Sequence, residues 1–204
     1  MVDAKPVEFR GSSLEDLRAF PLTARREAGH QLDRVQNGRY PDDWKPINTV
    51  GRGAKEIRIR DEAGAFRVLY VAKFADDLRA ALLPEEDREN QQGGRGACRQ
   101  ALPRVVEGAR AMKKQRFASV WDAVEDTPEQ AANMKLRSEL MIALKDQIAR
   151  AGMSQAQAAR LVGVTQPRVS DLMRGKINLF ALDALVNMAT AAGLRIEMHV
   201  LEAA

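Results

Sequence analysis

Ser154-Gln-Ala-Gln-Ala-Ala-Arg-Leu-Val-Gly163-Val-Thr165-Gln-Pro-Arg168-Val-Ser170-Asp-Leu-Met-Arg174-Gly175 reads as two short helices joined by a glycine turn. Ser154 is placed to N-cap the first helix, because its hydroxyl can accept an orphan backbone amide proton. Gly163 ends that helix, Thr165 caps the next with Gln166 and Pro167 in its first turn, and Gly175 closes it. Packing the two helices through Ala158, Leu161, Val164, Val169 and Leu172 leaves the front of the second one free. Its exposed positions include Gln166, Arg168 and Ser170, which suit base edges: glutamine pairs with adenine, arginine bidentately with guanine, and serine with either. The N-terminal end of such a second helix is the part that enters the major groove. Backbone amides near Ser154 and Gln155 suit a phosphate, and Arg174, Lys176 and Asn178 complete the expected DNA-binding set. A plain helical bundle also carries solvated glutamines and arginines; the joint pattern of caps, glycines and polar front selects DNA reading.

Helical spacing continues on both sides. Residues 135–151 present Leu136, Leu140, Ile142, Leu144 and Ile148, residues 182–192 have another apolar face, and residues 194–201 alternate as a final strand would. Nearer the N-terminus, Ala24, Ala28, Leu32 and Val35 mark a helix over 23–35 that Asn37 and Gly38 stop. Residues 56–60 and 65–74 read as two strands around a turn at 61–64. Between the halves, 84–94 is polar and rich in breakers, the texture of a linker. The expected fold class is α+β: an N-terminal helix-and-hairpin unit, then an all-helical helix-turn-helix domain with a short C-terminal strand. The expected boundaries are 1–76, a linker at 77–111, and 112–204, with the helix-turn-helix region at about 136–193.

The 204 residues carry a net charge of +4, which fits a polyanion partner without demanding one. One cysteine excludes an intramolecular disulfide framework, and with two histidines it makes no zinc site. Neither a metal nor another cofactor is expected. No apolar run has the length of a membrane span, and the first residues lack the apolar stretch of a signal peptide. The expectation is a cytoplasmic protein with no membrane partner.

Residues 153–177, with Met112-Lys-Lys-Gln-Arg-Phe-Ala-Ser-Val-Trp121 before them and Leu179-Phe-Ala-Leu-Asp-Ala-Leu-Val-Asn-Met188 after, resemble HigA-like antitoxins with an Xre-type helix-turn-helix. The resemblance implies a homodimer on palindromic double-stranded operator DNA and a cognate full-length HigB-like toxin as partner. Asp43-Trp-Lys-Pro46, Glu56-Ile-Arg-Ile-Arg-Asp61 and Gly64-Ala-Phe-Arg-Val-Leu-Tyr-Val-Ala-Lys-Phe74 resemble phage-derived HigB-like toxins of the RelE/ParE superfamily. That resemblance implies ribosome-dependent mRNA cleavage by basic residues on a small sheet, with Arg67 the best match and Arg58, Arg60 and Lys73 weaker ones; each also reads as a solvated strand charge. Trp44 reads as a packed anchor.

The toxin resemblance breaks after Phe74. A reverse translation of the segment from Leu78, with synonymous codons chosen to favour that frame, reads one base later as Cys-Val-Leu-His-Cys-Phe-Gln-Lys-Lys-Thr, like the segment that follows in the family. The same frame at Arg99–Arg104 hides Gly-Lys-Arg-Tyr-Arg. The reading is a frameshift fusion of a toxin fragment, inactive for want of its last strand and basic segment, with an intact antitoxin. An ordinary evolved linker is the alternative, and a self-inhibited endoribonuclease is the rival function.

Overall fold

The computed structural model describes residues 5–47, 53–72, 78–82 (backbone only) and 114–198. The chain divides into two compact units, Met1–Ala131 and Ala132–Ala204.

In the first unit, a 15-residue helix supplies the scaffold. It is α2 (Leu22–Gln36), preceded by β1 (Val7–Arg10) and α1 (Ser13–Arg18). Ala24, Ala28 and Leu32 recur on one face and are fully buried. Gly38, at φ 75°, ends the helix in a left-handed conformation that suits glycine. Then come β2 (Trp44–Pro46), β3 (Ala54–Asp61), β4 (Gly64–Ala72), β5 (Leu78–Leu82) and β6 (Lys114–Phe117), forming one sheet in the order β2-β3-β4-β5-β1-β6. Ile57 pairs with Val68 and Ile59 with Phe66, and all four side chains are buried.

This sheet corrects the expectation of an unfinished hairpin. Leu78–Leu82, read as the start of the linker, is a strand that pairs antiparallel with β4 and parallel with β1. The edge of β4 is therefore paired, and the missing-strand argument for inactivity falls. The remainder of the expected linker lies outside the described residues.

The sheet also takes a strand from the segment that resembles the start of an antitoxin. β6 pairs antiparallel with β1, Phe9 opposite Gln115, and is followed by α3 (Val120–Val124). Trp121 of α3 is fully buried against α2. Its ring lies where a Cβ on Gly29 would meet it at 2.9 Å, so only glycine admits the ring at that distance. Gln36 holds the entry to α3: its Oε1 accepts from Val120 N at 2.8 Å and its Nε2 donates to Ala118 O at 3.0 Å. Arg18 Nε donates to Ala123 O at 2.8 Å. Arg26 donates Nε and Nη2 to the two oxygens of Glu125, each at 2.8 Å, with the Glu125 side chain fully buried. The Glu125 hydrogen bonds push the Arg26 guanidinium above its ordinary range, against the opposing effect of burial. The boundary expected at 112 followed sequence resemblance; the boundary of packing lies at 131, because residues 114–126 bury their apolar side in the first unit.

The second unit is all-helical: α4 (Pro128–Arg150, which begins in the first unit), α5 (Gln155–Val162), α6 (Gln166–Met173), a 3₁₀ turn (Ile177–Leu179) and α7 (Leu182–Ala191). Its core gathers Met141 and Leu144 of α4, Ala158 of α5, Val169 and Leu172 of α6, Phe180, and Leu185 of α7, all fully buried. Two expected core positions are corrected. Leu161 is 43% exposed and Val162 is buried instead, because the inner face is centred between Ala158 and Ala159, which Val162 continues, and Leu161 falls on the far side of Ala158. Leu136 is 40% exposed, and Met134 and Met141 fill the inner face of α4. The expected final strand is absent over 194–198, where no neighbouring strand accepts its hydrogen bonds; residues 199–204 lie outside the described residues. No helix among the described residues is long and apolar enough to cross a membrane.

Gly29→Ala should destabilise the first unit by about 1–3 kcal/mol through overpacking, and Trp121→Ala by about 3–5 kcal/mol through loss of a buried aromatic. Urea unfolding of the full chain followed by tryptophan fluorescence for the first variant, and by circular dichroism for both, checks this; unchanged midpoints would refute the packing described.

Candidate nucleic-acid interface

The frame of the interface is set by caps. Ser154 Oγ accepts from Gln157 N at 3.3 Å, and Gln157 Oε1 accepts from Ser154 N at 2.9 Å, a reciprocal box that satisfies two orphan donors at the start of α5. The Ser-x-x-Gln spacing was a readable signal for Gln157, which the sequence reading passed over. Gly163 ends α5 at φ 70°, and Val164 N returns to Ala159 O at 3.0 Å, which sets the turn into α6. Thr165 is the N-cap residue of α6, though its side chain makes no capping hydrogen bond, and Pro167 lies in the first turn. At the other end, the buried Lys145 of α4 donates from Nζ to Met173 O at 2.8 Å. A buried ammonium thus serves a terminal helix carbonyl, fixing α6 against α4.

On that frame Gln166 is exposed, as expected, and so are Gln155, Thr165 and, despite its capping role, Ser154. Ser170 is half-buried. Arg168 does not extend freely. Its guanidinium stacks over the Phe180 ring, 4.2 Å from the centroid, and Nη2 donates to Leu179 O. A guanidinium has five N–H donors, and the ring and the Leu179 carbonyl together hold it at the side of α6. Phe180 is twelve residues further along, beyond the 3₁₀ turn, and no sequence spacing announced the contact. Arg174 pairs with Asp171 at 2.7 Å, and Lys176 and Asn178 are half-buried with interactions inside the protein.

In the first unit, Arg58 and Arg67 stand directly opposite each other on β3 and β4, and Arg60 lies one alternation along on the same face. Ile57 and Val68 turn to the helix-covered side, so the arginines occupy the other face. Two like charges directly opposite repel, and each has an acid beside it. Arg58 Nε donates to Asp43 Oδ1 at 2.8 Å, and Arg67 Nη1 lies 3.7 Å from Oε1 of the buried Glu56. Lys45 approaches the same Glu56 oxygen at 3.7 Å. Lys73 lies outside the described residues. Trp44 stacks on Tyr40, centroids 5.1 Å apart, with Lys55 over both rings, in keeping with an anchor. Among the described residues no group of three or more histidine, cysteine or acidic side chains is arranged to hold a metal ion.

Two family models match the chain. Residues 123–201 match a helix-turn-helix domain, and residues 15–83 match a phage derived protein, Gp49-like. The first match spans the capped frame just described; the second runs from α1 through β5. One polypeptide therefore joins a Gp49-like domain, of the toxin type, to a helix-turn-helix domain of the DNA-binding kind. No curated protein matches it.

Ser154→Ala removes one half of the capping box and leaves Gln157 N without its acceptor. The expected loss is about 0.5–2 kcal/mol of stability in the second unit, read by chemical denaturation with helix content as the signal. Ser154→Asp, which keeps a capping oxygen, should lose much less; equal losses in the two variants would argue against the cap.

Proposed function

We propose that the chain is a sequence-specific DNA-binding antitoxin and transcriptional repressor of a type II toxin–antitoxin system, fused to a toxin-type unit that is silent. The observation that carries the reading is Arg168 held over the Phe180 ring beside the exposed Gln166 at the start of α6. A positioned guanidinium suits guanine O6 and N7, and a neighbouring glutamine suits adenine. The repressor acts as a homodimer whose two second helices read half-sites of a palindromic operator about one helical turn apart. A separate full-length HigB-like toxin is its second partner.

The silence of the first unit is supported by charge rather than by a missing strand. RNA cleavage by basic residues depends on donors converging on one developing phosphate charge. Asp43 and Glu56 stand against Arg58 and Arg67 on that face, and the frameshift reading, in which the lysine-rich segment of the toxin family lies in another frame, adds to this. The second reading, a ribonuclease inhibited in cis, has one observation in its favour: residues 114–126 seat on α1, α2 and β1 as an inhibitory segment would. They seat on the helix side and the β1 edge, away from the Arg58–Arg67 face, so this contact does not cover the arginines.

Arg168→Ala should weaken binding to the chain's own promoter by about 1–3 kcal/mol, whereas Lys176→Ala should weaken all sequences alike and reduce the salt slope by about one. Titrations at several salt concentrations distinguish these; equal specific binding by wild type and Arg168→Ala would remove the recognition-helix assignment. For the first unit, expression of the unaltered chain should leave growth unimpaired. Restoring the reading frame after Asp77 should bring growth arrest, relieved by Arg67→Ala. Arrest by the unaltered chain, with cleavage of translated mRNA, would establish the ribonuclease reading instead.

A further inference from the structure

Beside α4 and α7 the second unit carries an open apolar groove of about 360 Å³, whose lining includes Leu136, Leu140 and Val186. Residues 194–198 form its rim, Arg195 and Glu197 bordering it together with Leu194, Ile196 and Met198. Leu136 is 40% exposed and Met198 66%, a high exposure for two large apolar side chains bordering one groove. The rim segment Leu194-Arg-Ile-Glu-Met198 alternates apolar and charged residues as a half-buried strand does, yet it belongs to no strand.

The charges identify what would complete it. Across an antiparallel pair of this segment with itself, centred on Ile196, Leu194 faces the partner's Met198 and Arg195 faces the partner's Glu197. The symmetry makes this ion pair form twice. All three apolar side chains then fall on one face, against the grooves, and both charges on the other. Within one chain, Arg195 Nε already lies 3.0 Å from Glu197 Oε1, but at 88% and 62% exposure this contact is worth little. We propose that a second copy of this chain covers the groove, the two copies joining through residues 194–198 in antiparallel register about Ile196. This rests on the repressor reading and names the surface through which its two helix-turn-helix domains associate. An isologous contact of this kind closes on itself and yields a dimer without further growth.

The experiment uses the full chain and measures dimer dissociation by analytical ultracentrifugation. Arg195→Glu alone, or Glu197→Arg alone, sets two like charges opposite their counterparts and should raise the dissociation constant about tenfold or more. The double variant Arg195→Glu with Glu197→Arg should restore dimerisation, which a merely structural role for either residue does not predict. In a Cys98→Ser background, Ile196→Cys should form a disulfide-linked dimer under mild oxidant, since directly opposite strand residues lie within disulfide reach. A wild-type chain that stays monomeric shows that the groove is covered by its own residues or by another protein, and overturns the proposal. So does a dimer that is indifferent to both charge variants. Dimers that ignore the promoter leave this pairing standing and remove the repressor reading; monomers that bind a half-site do the reverse.

Discussion

A single indole organises the first unit. Trp121 reaches full burial because Gly29 leaves a notch in α2, and no other residue type at position 29 admits the ring so closely. Seating that ring brings α3 onto α2, and with it Gln36, Arg18 and Arg26 find partners on the incoming segment. The cost is visible: Trp121 Nε1 is buried with no acceptor among the described residues. An unsatisfied donor of this kind costs about 1–3 kcal/mol, while a buried tryptophan contributes about 3–5 kcal/mol, so packing wins. β6 then follows as the extension of a segment already anchored, and it closes the β1 edge of the sheet.

Elements with a local signature were legible in the sequence. The periodic face of α2, the alternation of β3 and β4, and the glycine-bounded α5 and α6 stand close to where spacing and capping place them. β1, β5 and β6 were not legible. Each has only four or five residues, and Leu78-Arg-Ala-Ala-Leu82 lacks any alternation of its own; it becomes a strand because β4 and β1 offer edges on both sides. The tail at 194–198 shows the converse. Its alternation is plain in the sequence, but alternation specifies a face, and a strand also needs a neighbour. In the interface, Gln166 and the Ser154 cap could be read, whereas the Phe180 platform under Arg168 arises from the chain folding back after the 3₁₀ turn.

The net charge of +4 is a poor guide to where nucleic acid would sit. Arg25, Arg26, Arg58, Arg67 and Arg174 each have a carboxylate within 4 Å, so much of the basic charge is spent inside the protein. On α6 the guanidinium of Arg168 is held by a ring and a carbonyl rather than by an acid. Specificity in such a case depends on the placement of a few donors more than on a broad electrostatic field.

The order of strands in the sheet also sets a timetable. β1 leaves the ribosome well before its partner β6, which follows about a hundred residues later. At about 5–20 residues per second, that delay is on the order of 5–20 s. During it one edge of β1 stays open and the notch at Gly29 has no indole to fill it. The first unit therefore matures only after synthesis has entered the second, and a chain interrupted before Trp121 would present nascent apolar surface to whatever chaperones attend it.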